Sequence, residues 1–192
     1  MVAIIDYGAG NTKSLQFALD RLGVKSLLTS DANQIKNADK VIFPGQGAAA
    51  SAMQKLKYHK LDSLIVTLQQ PVLGICLGMQ LLCEYTEEGQ VKGLGIIQGT
   101  VKRFSNDVKV PQMGWNSIHQ LNGPLFKGIE NGSYMYLVHS YYVPRLHETV
   151  AICNYNGNYT VALQKDNFYG VQFHPEKSSV KGQLLLTNFL NL

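Results

Sequence analysis

Cysteine is scarce in this chain. Cys76, Cys83 and Cys153 are its thiols, too few and too unevenly spaced for a disulfide framework. None forms a C-x-x-C pair, so three reduced thiols and no metal are expected. Charge is also sparse: 16% of residues are charged, and the net charge of +4 is spread along the chain without a basic block. A nucleic-acid partner is therefore not indicated. No run of 18 apolar residues could span a membrane, and the four apolar residues between Met1 and Asp6 are too few for a signal peptide. The expected compartment is the cytoplasm. Repeats, low-complexity tracts and linkers are missing as well. With 192 residues, 45% of them hydrophobic, residues 1–192 read as one soluble globular domain that buries about 70% of the surface its unfolded form exposes.

What is present alternates. VAIID (2–6) is a buried-strand candidate, and after the loop YGAGN the residues Leu15, Ala18, Leu19 and Leu22 recur at i, i+3, i+4 and i+7, with Gly23 as the stop. VKSLLTS, the short polar DANQIKNA and KVIFPG continue the pattern. After Gly47 a small-residue run opens a helical stretch reaching about Gln69, and PVLGIC follows as a strand. Such alternation implies an α/β fold with a mostly parallel central sheet, helices on both faces, and ligands at the carboxyl ends of the strands. YGAGN, PGQG and CLG all fall at such ends. From Leu94 to Phe173 the chain is β-rich, its segments separated by NG and DN turns, which suggests hairpins added to the central sheet; a last helix spans about Ser179 to Leu190.

The stretch PVLGICLGMQLL sets Cys76 between Gly74 and Gly78, the G-x-nucleophile-x-G spacing of a strained strand-to-helix turn with sulfur in place of a serine oxygen. A free thiol is only a few per cent ionised at neutral pH, and the start of a helix or a nearby imidazolium favours the thiolate. Cys83, seven residues on among Leu81 and Leu82, reads as core. A thiol nucleophile needs a base, and the base an orienter. VQFHPEKSS supplies His174 and Glu176 around Pro175; alternate side chains of an extended segment project to one side, so the carboxylate can meet the imidazole. The charge of an acyl-transfer intermediate would be met by Leu77 N–H and by the Gly-rich loop Pro44-Gly45-Gln46-Gly47, which alone would be a simple turn. G-x-G in GAGN lacks the third glycine of a dinucleotide loop.

Together the elbow G-I-C-L-G-M-Q, the loop P-G-x-G about thirty residues earlier and H-P-E near the end resemble the class I (triad-type) glutamine amidotransferases. Within that class, IIDYGAGN, VPQMGWN, VHSYY and QFHPEKSS look like the glutaminase subunits of imidazole glycerol phosphate synthases, from histidine biosynthesis. The chain departs from their pattern at Gln112, where histidine is usual, and at Gln46, often valine.

The resemblance implies a catalytic triad of Cys76, His174 and Glu176, an oxyanion site from Gln46, Gly47 and Leu77, and substrate contacts from Gly47, Gln80, Glu88 and the Ser140-Tyr141 backbone. Glutamine would be the substrate, with no cofactor. The chain has no phosphate loop with which to use ammonia itself, so the resemblance implies a heterodimer with a separate (β/α)₈-barrel cyclase subunit, contacted through Asn11, Trp115, Asn116 and Tyr136. Core packing is the plainer reading of Trp115. A further expectation is that the Gly45-Gln46-Gly47 peptides rest with one oxyanion donor turned away, since glycines make the flip easy. Three rival readings stand beside this one: a glutaminase serving pyridoxal phosphate synthase, a non-catalytic redox or stress protein with an elbow cysteine, and a γ-glutamyl peptidase of the same nucleophile type.

Overall fold

The structure, a computed structural model, describes residues 1–8 and 11–192. Ala9 and Gly10 of the loop YGAGN lie outside the described residues. The chain runs β1 (Val2–Ile5), α1 (Thr12–Arg21), β2 (Ser26–Thr29), α2 (Ala32–Lys36), β3 (Lys40–Gly45), α3 (Ala49–Tyr58), α4 (Leu61–Ile65), β4 (Val72–Cys76) and α5 (Leu77–Leu82). Short strands β5 (Cys83–Thr86) and β6 (Val91–Lys92) follow, then β7 (Ile97–Arg103), β8 (Gln112–His119), β9 (Tyr134–His139), β10 (Tyr141–Tyr142), β11 (Thr149–Asn154), β12 (Asn158–Lys165), β13 (Phe168–Val171) and α6 (Ser179–Leu190).

The central sheet has nine strands in the order β2-β1-β3-β4-β13-β12-β11-β8-β9. Pairing is parallel from β2 through β13 and antiparallel from β13 to β9. Parallel strands joined through helices thus meet the added hairpins at β13. Period-two alternation divides the core between two faces. Val2 and Ile4 pack with Leu15, Leu19 and Leu186 under α1 and α6; Ala3 and Ile5 pack with Ile35, Met53 and Leu56 under α2 and α3. Each buried Val, Leu, Ile or Met side chain among these contributes about 1.5–3 kcal/mol.

The ends of α1 follow the sequence: the Asn11 side chain accepts the Ser14 N–H at 3.4 Å, and Gly23 leaves the helix at φ +73°. The polar DANQIKNA holds the short helix α2, whose Asp31 carboxylate accepts the Gln34 N–H at 2.8 Å.

Three expectations are corrected. The helical stretch toward Gln69 is broken at Lys60, which is left-handed (φ 56°, ψ 25°), and the break turns Leu61, Leu64 and Ile65 of α4 onto the core. The elbow helix stops after six residues, so Cys83, buried as expected, opens a strand. That strand belongs to a separate four-stranded sheet, order β10-β7-β5-β6, which takes up GIIQGTVKRF instead of the central sheet. Gly93 permits the tight return, since a Cβ there would lie 2.2 Å from the Cys83 carbonyl oxygen.

Candidate active site

Cys76 ends β4 with φ 55° and ψ −112°, a positive-φ conformation outside the left-handed helical region that costs a non-glycine residue on the order of 1–3 kcal/mol. The surrounding backbone holds it there. Gly45 pairs with Cys76 in register between β3 and β4. A Cβ on Gly45 would meet Gly78 N at 2.3 Å, and one on Gly74 would meet Met79 N at 2.8 Å. Elbow and P-G-Q-G loop therefore interlock backbone against backbone, and the loop is delivered to the side of Cys76.

Cys76, Leu77 and His174 line a cavity of about 430 Å³ together with Gln46 and Gly47. Its other wall carries Gln80, Glu88, Ser140 and Tyr141. Candidates from five separate segments thus share one space, while Glu176 lies outside its lining.

His174 Nδ1 stands 2.9 Å from Glu176 Oε1, and their side chains are 3% and 4% exposed. The route differs from the extended segment expected: Pro175–Lys177 is a 3-10 turn, which proline's fixed φ favours at its first position. Around it the backbone is tied to β9, with His174 N–H donating to the Tyr136 carbonyl at 2.9 Å. The Ser178 hydroxyl donates to His174 O at 2.6 Å and accepts the Tyr136 N–H at 3.0 Å. His174 Nε2 is buried and has no hydrogen-bond partner among the described residues. Burial pulls the imidazole toward its neutral form, but the Cys76 sulfur and the Glu176 carboxylate outweigh it and push the pKa up to about 9.

Gln80 donates from Nε2 to the Tyr141 carbonyl and to Gln172 Oε1, both at 2.8 Å. Both protons of that nitrogen are spent, and its oxygen is left to accept from a ligand. Glu88 accepts the Ala49 N–H at 3.0 Å at the start of α3; partial burial raises its pKa and that hydrogen bond opposes the rise. The wall thus offers a carboxylate and an amide oxygen, groups suited to an ammonium.

Trp115 and Tyr136 lie outside the cavity. They pair across β8 and β9 with ring centroids 6.2 Å apart, and Trp115 is 50% exposed, so core packing does not account for it. Asn116 donates to the Gly114 carbonyl at 3.2 Å, and Asn11 serves as the cap of α1. Gln112 is 1% exposed, pointing inward from the strand that carries Trp115, with its amide 2.7 Å from the Tyr159 hydroxyl.

Sequence reasoning missed a buried polar chain. The Tyr159 hydroxyl lies 3.1 Å from His139 Nε2, and His139 Nδ1 donates to the Tyr141 carbonyl at 2.7 Å. Gln172, fully buried, joins Gln80 to Cys76. No sequence signal marks Gln172, which follows the end of β13 at Val171 and carries no charge.

The sequence pattern of the family described as "Glutamine amidotransferase class-I" matches residues 3–192. The chain belongs to this family. It is 52% identical over 194 residues to "Imidazole glycerol phosphate synthase subunit HisH" of Bacteroides fragilis strain YCH46, covering 100% of this chain and 99% of that one. To the protein of the same name from Haemophilus influenzae strain KW20 it is 50% identical over 191 residues, 98% of this chain and 96% of the other. Among solved structures it resembles one described as glutamine amidotransferase (TM-score 0.77, 16% identity, covering 100% and 98% of the two chains). It also resembles "PurLQS from Thermotoga maritima" (TM-score 0.74, 17% identity, covering 99% and 97%). At these identities the structural likeness shows the α/β fold of the class and no more.

Proposed function

We propose that this chain, as a single domain, is the glutaminase subunit of an imidazole glycerol phosphate synthase in histidine biosynthesis. The observation that carries the chemistry is the strained Cys76 at the elbow, sharing one cavity with His174, whose Nδ1 is held by the buried Glu176 and whose Nε2 is unpartnered among the described residues. The curated relatives, similar along nearly their whole length, support the assignment of the subunit.

The Cys76 thiolate attacks the side-chain amide carbon of glutamine. Leu77 N–H and the N–H groups of the Gln46-Gly47 loop receive the negative charge that develops on the amide oxygen; one donor of this kind is worth on the order of 10²- to 10³-fold in rate. His174, held by Glu176 and protonated at neutral pH, gives the Nε2 proton to the departing nitrogen, and ammonia leaves a glutamyl thioester. Water then attacks the thioester carbon while Nε2 takes its proton, releasing glutamate and restoring the thiolate. Glu88 and the Gln80 oxygen hold the substrate's ammonium.

Ammonia passes to a separate (β/α)₈-barrel cyclase subunit, which uses it to form imidazole glycerol phosphate and an aminoimidazole carboxamide ribonucleotide. The exposed Trp115 and its neighbour Tyr136 suit that contact, and Tyr136 is one backbone hydrogen bond from His174. Asn116, next to Trp115 on β8, and Asn11 at the start of α1 are further contacts in this reading. Gly47, at φ +94° and exposed, is where the oxyanion loop would turn when the partner and its nucleotide bind. No helix among the described residues is long and apolar enough to cross a membrane, and a reducing cytoplasm suits a free nucleophilic thiol. An electrophilic glutamine analogue tests the catalytic assignment: it should modify Cys76 alone among the three cysteines, and glutamine should protect. Modification that glutamine does not slow would overturn it.

A further inference from the structure

We propose that Gln172 holds the nucleophile: its amide donates a hydrogen bond to Cys76 Sγ that favours the thiolate independently of the charge on His174. The proposal rests on the catalytic reading above for its meaning, but its test reads the thiol directly.

Register brings the two together. Val171 pairs with Ile75 across the parallel strands β13 and β4, and one residue further on Gln172 stands beside Cys76. Gln172 Nε2 lies 3.6 Å from Cys76 Sγ, and its Oε1 accepts from Gln80 Nε2 at 2.8 Å. The side chain is fully buried.

One backbone group fixes the direction of the whole chain. The Tyr141 carbonyl can only accept, so Gln80 must turn its nitrogen toward it. The second proton of that nitrogen then points at Gln172, which must present its oxygen there. The nitrogen of Gln172 is left facing sulfur. Turning the Gln172 amide over would set two donors face to face and an oxygen against the sulfur lone pairs. Gln172 is therefore a donor to Cys76 by necessity, and a hydrogen bond to the charged form of a group favours that form. His174 supplies charge to the same sulfur only while protonated; Gln172 supplies its N–H at every pH.

The test is alkylation of Cys76 by iodoacetamide in the full-length chain, followed from pH 6 to 10 and located by mass spectrometry of the modified peptide. Gln172→Met keeps length and apolar volume and removes the donor. At neutral pH its alkylation should slow on the order of 10-fold, the size of a hydrogen bond to a charged group, and the difference from wild type should close as pH approaches 10, above the ordinary thiol range. Should Gln172→Met not melt cooperatively, Gln172→Asn takes its place: it keeps an amide but withdraws it from the sulfur by a methylene, and the same closing difference is expected. Rates that match wild type at every pH would overturn the proposal. So would slowing by one factor across the whole range, because that marks a change of access and not of ionisation. Absence of glutamine hydrolysis in the wild-type complex would sink the catalytic reading and leave this profile still to decide the role of Gln172.

Discussion

A Cβ on Gly78 would stand 2.0 Å from the carbonyl oxygen of Phe43. No side-chain rotation can relieve a contact between a Cβ and a backbone oxygen, so either β3 or α5 must move. Gly78→Ala should cost about 3 kcal/mol of stability and should abolish glutamine hydrolysis at temperatures where the variant is still folded, because the shift opens the elbow that aims Cys76. Denaturant unfolding and glutamate release, measured on the same preparation, check both halves.

His174 ionises near pH 9 because Cys76 and Glu176 support its charge against burial. As the proposed proton donor to the leaving nitrogen it must be charged, so kcat/KM should fall as pH rises through about 9. Glu176→Gln removes one of the two supports. In that variant the alkaline limb should move to lower pH, on the order of one unit, with a loss of kcat. A limb that stays in place would show that Glu176 does not hold the imidazolium.

His139 behaves in the opposite sense. Burial is the main cause, with the charge of His174 adding to it, and together they overcome the hydrogen bond to Tyr141 and lower its pKa to about 4. The unfolded chain binds this proton near the ordinary 6.5, the folded chain only near 4. Stability is therefore full above pH 6.5 and is lost as pH falls toward 4, by about 3 kcal/mol. His139→Gln should flatten that part of the stability profile, whatever it does to stability at neutral pH.

Gln112 is a core residue and not an interface residue. Its amide meets the Tyr159 hydroxyl at 2.7 Å, and Cys153 Sγ lies 3.9 Å from its Nε2. Gln112→Leu leaves a buried hydroxyl short of a partner and should destabilise the chain by about 1–3 kcal/mol, while the affinity for a cyclase subunit stays unchanged. Thermal melts and a binding titration separate the two effects.

What was legible in the sequence was local or chemically marked. The α1 stripe of Leu15, Ala18 and Leu19, the stop at Gly23 and the α6 span from Ser179 to Leu190 follow from periodicity and turn chemistry, and all three are present as read. Cys76, His174 and Glu176 stood out because a glycine-framed cysteine and an H-P-E are rare combinations. Residues whose part depends on non-local pairing were hidden. Cys83 reads as core, but nothing in Leu81-Leu82-Cys83 announces that it opens a strand pairing with Ile97. The inward turn of Gln112 could not be told from an outward one until the register of β8 against β9 and β11 was known. Gln172 carries no charge and no reactive atom, so only its place beside Cys76 gives it a meaning.

The central claim is that Cys76, activated by His174, hydrolyses glutamine for a barrel cyclase partner. It is tested most directly by measuring glutamate release from glutamine by the chain alone and in complex with a cyclase subunit and its nucleotide substrate, with Cys76→Ala as control. Strong stimulation in the complex, lost in Cys76→Ala, is the result predicted here. Glutamate release that survives Cys76→Ala, or none from the wild-type complex with nucleotide bound, would contradict the account.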